Sequence, residues 1–127
     1  MKALIVDDEM DICILLMKIL KGMNIKTSFA NSIKEGKLSF LEVHPDIVFL
    51  DINLSDGNSI NSIKHFKPDN KNKLVMITGV ELAEEKIRAF KEGADAFINK
   101  PFTSRQIIDL MNNFISNSNI DHAHINY

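Results

Sequence analysis

Three aspartates, a threonine and a lysine stand at the ends of short apolar runs, and together they have the chemistry to handle a phosphoryl group. Asp7 and Asp8 follow the run Ala3 to Val6, Asp51 follows Ile47 to Leu50, Thr78 follows Leu74 to Ile77, and Lys100 lies just past Ala96 to Ile98. Carboxylates gathered in one place raise one another's proton affinity and are relieved by a hard dication or a lysine. Magnesium suits such a set because it takes oxygen ligands and keeps several waters; manganese is the expected substitute. No His or Cys is placed to make a zinc site. A metal on Asp7, Asp8 and Asp51 would leave the Asp51 carboxylate as nucleophile, with Lys100 and Thr78 free to contact phosphoryl oxygens. Singly, each residue has a plainer reading: an aspartate after a strand caps a helix or turns the chain, a threonine satisfies backbone, a lysine is a solvated cation. Their coincidence at strand ends carries the argument.

The elements that must bring them together are legible in the apolar pattern. The four runs are apolar without alternation, as expected of strands covered on both faces, and that coverage belongs chiefly to parallel sheets with helices on either side. Ile25 to Phe29 is more polar through Lys26, Thr27 and Ser28 and suits an edge strand. Between the strands, Asp11 to Lys21 places Ile12, Leu16 and Ile19 on one stripe, with Cys13, Met17 and Leu20 beside it and Gly22 as a stop. Ser32 and Glu35 form a capping box that opens a second helix to about Leu41, and Pro45-Asp46 turns the chain. Ile60, Ile63 and Phe66 suggest a third helix, weakened by Asn58, Ser59, Asn61 and Ser62. Glu81 to Glu92 reads as a fourth, with Ala83, Ile87 and Phe90 on one face, charges on the other and Gly93 past its end. Thr103 and Gln106 open a fifth, whose Ile107, Leu110, Met111 and Phe114 face one way. After Ser116 the Asn- and Ser-rich tail is expected to fray. Alternating strands and helices imply right-handed crossovers and an α/β, doubly wound parallel sheet, whose ligands sit beyond the carboxyl ends of the strands.

Composition narrows the classes further. With 127 residues and 45% hydrophobic content the chain suits one domain. Fifteen basic against 17 acidic residues give a net charge of -2, so no strong field favours nucleic acid or an anionic membrane, and direct binding to either is not expected. Cys13 has no partner and reads as a small buried hydrophobe. The N-terminal apolar run is too short for a signal-peptide core, and no window approaches the ~18 apolar residues of a membrane span. A cytoplasmic protein is the expectation. His44, His65, His122 and His124 share no framework, and Lys64, Lys67, Lys71 and Lys73 read as a solvated rim.

Four blocks together carry a family resemblance. Ile5-Val6-Asp7-Asp8-Glu9, Val48-Phe49-Leu50-Asp51, Met76-Ile77-Thr78-Gly79 and Gly93 through Phe102 resemble the motif blocks of response-regulator receiver domains of two-component signalling, in order and at the expected spacing. The resemblance spans roughly residues 2 to 116 and implies a flavodoxin-like (βα)5 fold with strand order 2-1-3-4-5, like that of the chemotaxis receiver. It implies a receiver domain over residues 1–117 and a tail over 118–127. It further implies that Asp51 is phosphorylated, that Asp8 ligates Mg²⁺ directly and Asp7 through water, and that the backbone carbonyl of Asn53 is another ligand. Lys100 would pair with the phosphoryl oxygens, the Lys100-Pro101 bond would be cis, Thr78 would swing toward the phosphoryl group, and Phe97 would turn inward behind it. The donor would be a phosphohistidine on a sensor histidine kinase or a histidine phosphotransfer protein. The readout would be the face of the fourth helix, fifth strand and fifth helix, open to a downstream protein or to phosphorylation-dependent dimerisation. Catalysis would be limited to the domain's own phosphorylation and dephosphorylation. One departure is Ser55, where many relatives carry proline; it leaves the loop after Asp51 less restrained. Gly79 offers little shielding and suggests a short-lived mark.

The rival from another class is a Mg-dependent aspartyl-nucleophile phosphatase of the haloacid-dehalogenase type, which places an Asp-x-Asp after its first strand. Here the paired acids come first and the third strand ends Asp51-Ile52-Asn53. A pseudo-receiver would lack part of the site set, and a flavin-binding relative would meet repulsion from Asp7 and Asp8. The chain is expected to be a stand-alone regulator or the receiver fragment of a larger one.

Overall fold

The unbroken apolar runs pair with one another as parallel strands. The computed structural model describes residues 1–119. Five strands, β1 (Lys2–Val6), β2 (Lys26–Ala30), β3 (Ile47–Asp51), β4 (Lys73–Thr78) and β5 (Ala96–Asn99), form one sheet in the spatial order β2-β1-β3-β4-β5, as expected for a doubly wound fold. The register sets Val6 opposite Leu50, Asp51 opposite Ile77 and Thr78 opposite Asn99, so the carboxyl ends of the central strands come level. The polar strand β2 takes the edge.

Alternate residues of each strand feed two separate cores. Ala3, Ile5, Phe49, Val75 and Ile77 pack with Leu16 and Leu20 of α1 (Met10–Lys21) and Ile107 and Met111 of α5 (Ser104–Asn119). Leu4, Val6, Val48, Leu50 and Met76 pack with Ile33 of α2 (Ile33–Val43), Phe66 of α3 (Ile63–Phe66) and Ala89 of α4 (Ala83–Glu92). A large aliphatic or aromatic side chain buried this way stabilises the fold by about 1.5–3 kcal/mol relative to exposure. The sheet and α2 meet closely at Gly36, where an added Cβ would come within 3.0 Å of both Val6 methyls.

The caps follow the expected chemistry with local changes. Ser32 Oγ accepts from Glu35 N, while Glu35 reaches back to Asn31 N–H instead of Ser32. At α5 the Thr103–Gln106 box closes both ways, with Gln106 N–H donating to Thr103 Oγ1 and Thr103 N–H donating to Gln106 Oε1. Gly22 caps α1 with an ordinary helical φ, and the left-handed turn falls on Asn24 at φ 60°. Gly93 ends α4 at φ 123°, which favours glycine.

Three expectations change. The third helix is a 3₁₀ turn over Ser59–Ser62 followed by the single turn of α3, because the Asn- and Ser-rich start lacks helix formers. Residues 53–58 form a small antiparallel hairpin, Asn53–Leu54 with Gly57–Asn58. In α4 the Ile87 and Phe90 stripe faces outward: Ile87 is 58% exposed and Phe90 42%, while Ala89 is buried. Periodicity reveals that a helix is two-sided but not which side meets the sheet. Polar bonds also tie this helix to its neighbours. Asn58 Nδ2 donates to Glu85 and Arg88 donates to Asn61, while Asn99 Nδ2 donates to Glu81 just before the helix. Lys67 is also no rim residue: its side chain is buried and its ammonium donates to Asp95 at 2.6 Å and to the Asn72 carbonyl at 2.8 Å. α5 continues to Asn119, so the tail expected from residue 118 falls almost wholly, with His122 and His124, outside the described residues.

Candidate functional site

The carboxyl ends of β1 and β3 and the segment after β5 deliver five charged side chains to one spot. Asp7 is held by its backbone: its N–H donates to Ala30 O, and its carbonyl accepts from Asn31 Nδ2 at 3.0 Å and from Cys13 Sγ at 3.5 Å. Its side chain is fully buried, and Oδ1 accepts from Glu9 N–H at 2.9 Å. Asp51 closes β3, is 5% exposed, and is fixed by Ser59 Oγ donating to its carbonyl at 2.6 Å. Lys100 follows β5, its N–H donating to Thr78 O at 2.7 Å, and the Lys100–Pro101 bond is cis.

The Lys100 ammonium sits among the acids. Nζ lies 2.8 Å from Glu9 Oε1, 2.9 Å from Asp7 Oδ2 and 3.3 Å from Asp51 Oδ2. Asp7, exposed Asp8, Glu9 and Asp51 each offer a carboxylate oxygen, all within 4.8 Å of one another. Burial pushes the Asp51 carboxyl up to about 6, with the neighbouring Asp7 charge adding to the rise and Lys100 partly offsetting it. Burial alone would lower the Lys100 ammonium, but its bonds to Glu9 and Asp7 and the Asp51 charge outweigh that and hold it above the usual lysine range.

The donor set fits a hard divalent cation. One ammonium does not balance four carboxylates, and among the described residues the Lys100 ammonium, 2.9 Å away, is the one cation set against the buried Asp7 Oδ2 and its carboxylate neighbours. All the ligand atoms are oxygens, as magnesium or manganese prefers.

The remaining expected residues lie around this cluster. Thr78 is buried, and its hydroxyl donates to Val80 O at 2.8 Å and accepts from Val80 N–H, which engages it with the segment before α4 and not with the acids. Phe97 is half-buried, its ring 6.3 Å from that of Phe90, with the Lys86 ammonium 5.8 Å over its face. Asn53 is exposed in the hairpin after Asp51, and Gly79 borders open space. A cavity of about 700 Å³ lined by Lys2, Met17, Lys26 and Val43 lies apart from the acids.

Two residues were not given roles by the sequence argument. Glu9 contacts Lys100; its signal was an acid beside the paired aspartates, in the block Asp7-Asp8-Glu9. Asp56 accepts through both carboxylate oxygens from Ile33 N–H and Lys34 N–H, at 2.9 and 3.1 Å. Only the Asp-Gly turn signal at 56–57 marked it.

Comparison with known proteins agrees with the fold. The receiver domain of NtrX from Brucella abortus superimposes with a TM-score of 0.76 at 31% identity, over 87% of this chain and 95% of that one. A CheY-like response regulator receiver domain protein from Methanospirillum hungatei JF-1 gives a TM-score of 0.82 at 27% identity, over 91% of this chain and 93% of that one. The KDP operon transcriptional regulatory protein KdpE of Escherichia coli is 30% identical over 99 residues, 78% of this chain and 44% of KdpE. The chain thus spans about half the length of the curated relatives it matches. Residues 3–112 match the family described as response regulator receiver domain, and the chain belongs to that family.

Proposed function

We propose that this receiver domain accepts a phosphoryl group on Asp51 from a phosphohistidine of a sensor histidine kinase or histidine phosphotransfer protein. The observation that carries the reading is the shared contact of one ammonium, Lys100, with Asp7, Glu9 and Asp51. The Asp51 carboxylate, ionised above about pH 6, attacks phosphorus in line, and the bond to the donor nitrogen breaks as the acyl phosphate forms. Asp7, Asp8, Asp51 and the Asn53 carbonyl would hold Mg²⁺, or Mn²⁺ in its place, which supplies neutralisation of charge on the phosphoryl oxygens. Lys100 already reaches Asp51 and would turn its ammonium from Asp7 and Glu9 to a phosphoryl oxygen. Thr78 would exchange its bond to Val80 O for one to the phosphoryl group, pulling on the segment before α4. Phe97 would move inward as it does so, changing the face of α4, β5 and α5 that a downstream protein or a second copy reads. The exposed Ile87 and Phe90 lie on α4 at that face. The domain works as a signalling element, with residues 1–117 as its unit, in the cytoplasm.

The test is intact-mass measurement after incubation with acetyl phosphate and Mg²⁺. Wild type gains the mass of one phosphoryl group, Asp51→Asn gains none, and a chelator abolishes the gain. Equal labelling of both proteins, or none of wild type, rejects the reading.

A further inference from the structure

The loop that leaves the end of β3 is tethered to a helix that follows a different strand. We propose that Asp56 is a positioning residue for the Asp51 site, whose carboxylate bridges to the first turn of α2 and so fixes the path of residues 52–58, including the backbone at Asn53. The inference deepens the proposed function and rests on it for the role of Asn53.

Asp56 Oδ1 accepts from Ile33 N–H at 2.9 Å and Oδ2 from Lys34 N–H at 3.1 Å, across 23 and 22 residues of sequence. These two donors hold its carboxyl below the usual range, as expected for a carboxylate at a helix N-terminus. The helix has a cap of its own, since Ser32 Oγ accepts from Glu35 N–H. Local capping therefore leaves the Ile33 and Lys34 N–H groups open, and a residue from another loop takes both.

The anchor belongs to the packed body of the fold, whereas Asp56 sits at the exposed tip of the hairpin. α2 lies against β1 at Gly36, in contact with Val6, the residue immediately before Asp7. The base of the loop is held by Ile52 N–H donating to Ile77 O, Ser59 N–H donating to Ile52 O and Asn58 Nδ2 donating to Glu85, while residues 54–57 are closed only by the two-residue hairpin of Asn53–Leu54 with Gly57–Asn58 and by the Asp56 tether. Ser55 puts no proline restraint there, and Gly57 at φ 141° makes the turn just after the tether. Asp56 thus closes a circuit from the end of β1 through α2 to the loop and back to the end of β3. It ties the backbone near Asn53 to the same body that carries Asp7.

The discriminating experiment compares Asp56→Ala, Asp56→Asn and Ser32→Ala in the full chain. Hydrogen exchange of amides 52–58 is followed in chelator, and Mg²⁺ affinity by calorimetry. Asp56→Ala is expected to speed loop exchange about tenfold and weaken Mg²⁺ about tenfold, in line with groups that orient a ligand from outside. Asp56→Asn, which keeps one acceptor oxygen but sets its NH2 against the other backbone N–H, recovers part of both. Ser32→Ala lowers helix stability through the same N-terminus but leaves loop exchange and metal affinity near wild type. Unchanged loop exchange in Asp56→Ala, or equal effects from Ser32→Ala, overturns the proposal and reduces Asp56 to an ordinary cap. If wild type takes neither Mg²⁺ nor phosphoryl, the site reading fails, while the exchange arm still decides the tether.

Discussion

Replacing Asp51 by Asn is expected to stabilise the metal-free protein. Burial and the Asp7 charge raise the Asp51 carboxyl from 3.8 to about 6 in the folded chain, so ionising it there is harder than in the unfolded chain. At about 1.36 kcal/mol per pH unit, that rise corresponds to ~3 kcal/mol of penalty at neutral pH. The 3.3 Å contact with Lys100 is already contained in that net rise, which it partly offsets, and Asp7 and Glu9 still hold the ammonium in the variant. A net gain of about 1–3 kcal/mol remains, or about 4–12 °C in Tm for a domain of this size. The sign of the pH dependence follows from the raised folded value. Below 3.8 the carboxyl is protonated in both states and the variant has no advantage. Between 3.8 and about 6 the unfolded chain ionises while the folded one holds its proton, so wild-type stability falls as pH rises; above about 6 the penalty is complete. Thermal unfolding in chelator at about pH 4 and about pH 7 measures this difference within one pair of proteins. A wild type more stable than Asp51→Asn at neutral pH, or an advantage equal at both pH values, refutes the electrostatic account. Added Mg²⁺ should narrow the gap by stabilising wild type alone.

Other outcomes follow from the same structure. Lys100→Ala removes the ammonium shared by Asp7, Glu9 and Asp51, so the Asp51 carboxyl moves further up, measurable by carboxyl-carbon NMR, and acetyl phosphate labelling falls by an order of magnitude or more. On α4, Phe90→Ser changes unfolding free energy by less than about 1 kcal/mol, whereas Ala89→Leu, which overpacks the sheet side, lowers it by about 1–3 kcal/mol in urea titrations; the reverse order rejects the observed orientation. Burial and the Asp7 charge raise the Cys13 thiol to about 11, so a thiol reagent at about pH 8 leaves the folded chain unmodified and reacts once urea unfolds it.

Strand ends were readable because a strand covered on both faces is apolar throughout, and the first polar residue after it stands where the sheet stops. Val6 to Asp7 and Leu50 to Asp51 mark that edge without help from tertiary structure. Capping boxes at Ser32 and Thr103 were readable because their partners lie three residues away. What escaped depends on contacts distant in sequence. Asp56 caps a helix 22 residues behind it, and Lys67 is buried by Asp95, 28 residues ahead. The bonds by which Asn58 and Asn61 meet Glu85 and Arg88 of α4 likewise join elements distant in sequence. Lys100 and the acids could be nominated by type and spacing, but the closeness of Glu9 to the ammonium needed coordinates.

The two-sided sheet has an evolutionary corollary. Ile47 and Phe49 answer to α1 and α5, while Val48 and Leu50, their immediate neighbours, answer to the helices on the opposite side. Substitutions on the two sides share no partners, so their penalties should sum almost independently. One flank can then drift while the other keeps its packing, and a lineage could revise either side without renegotiating both.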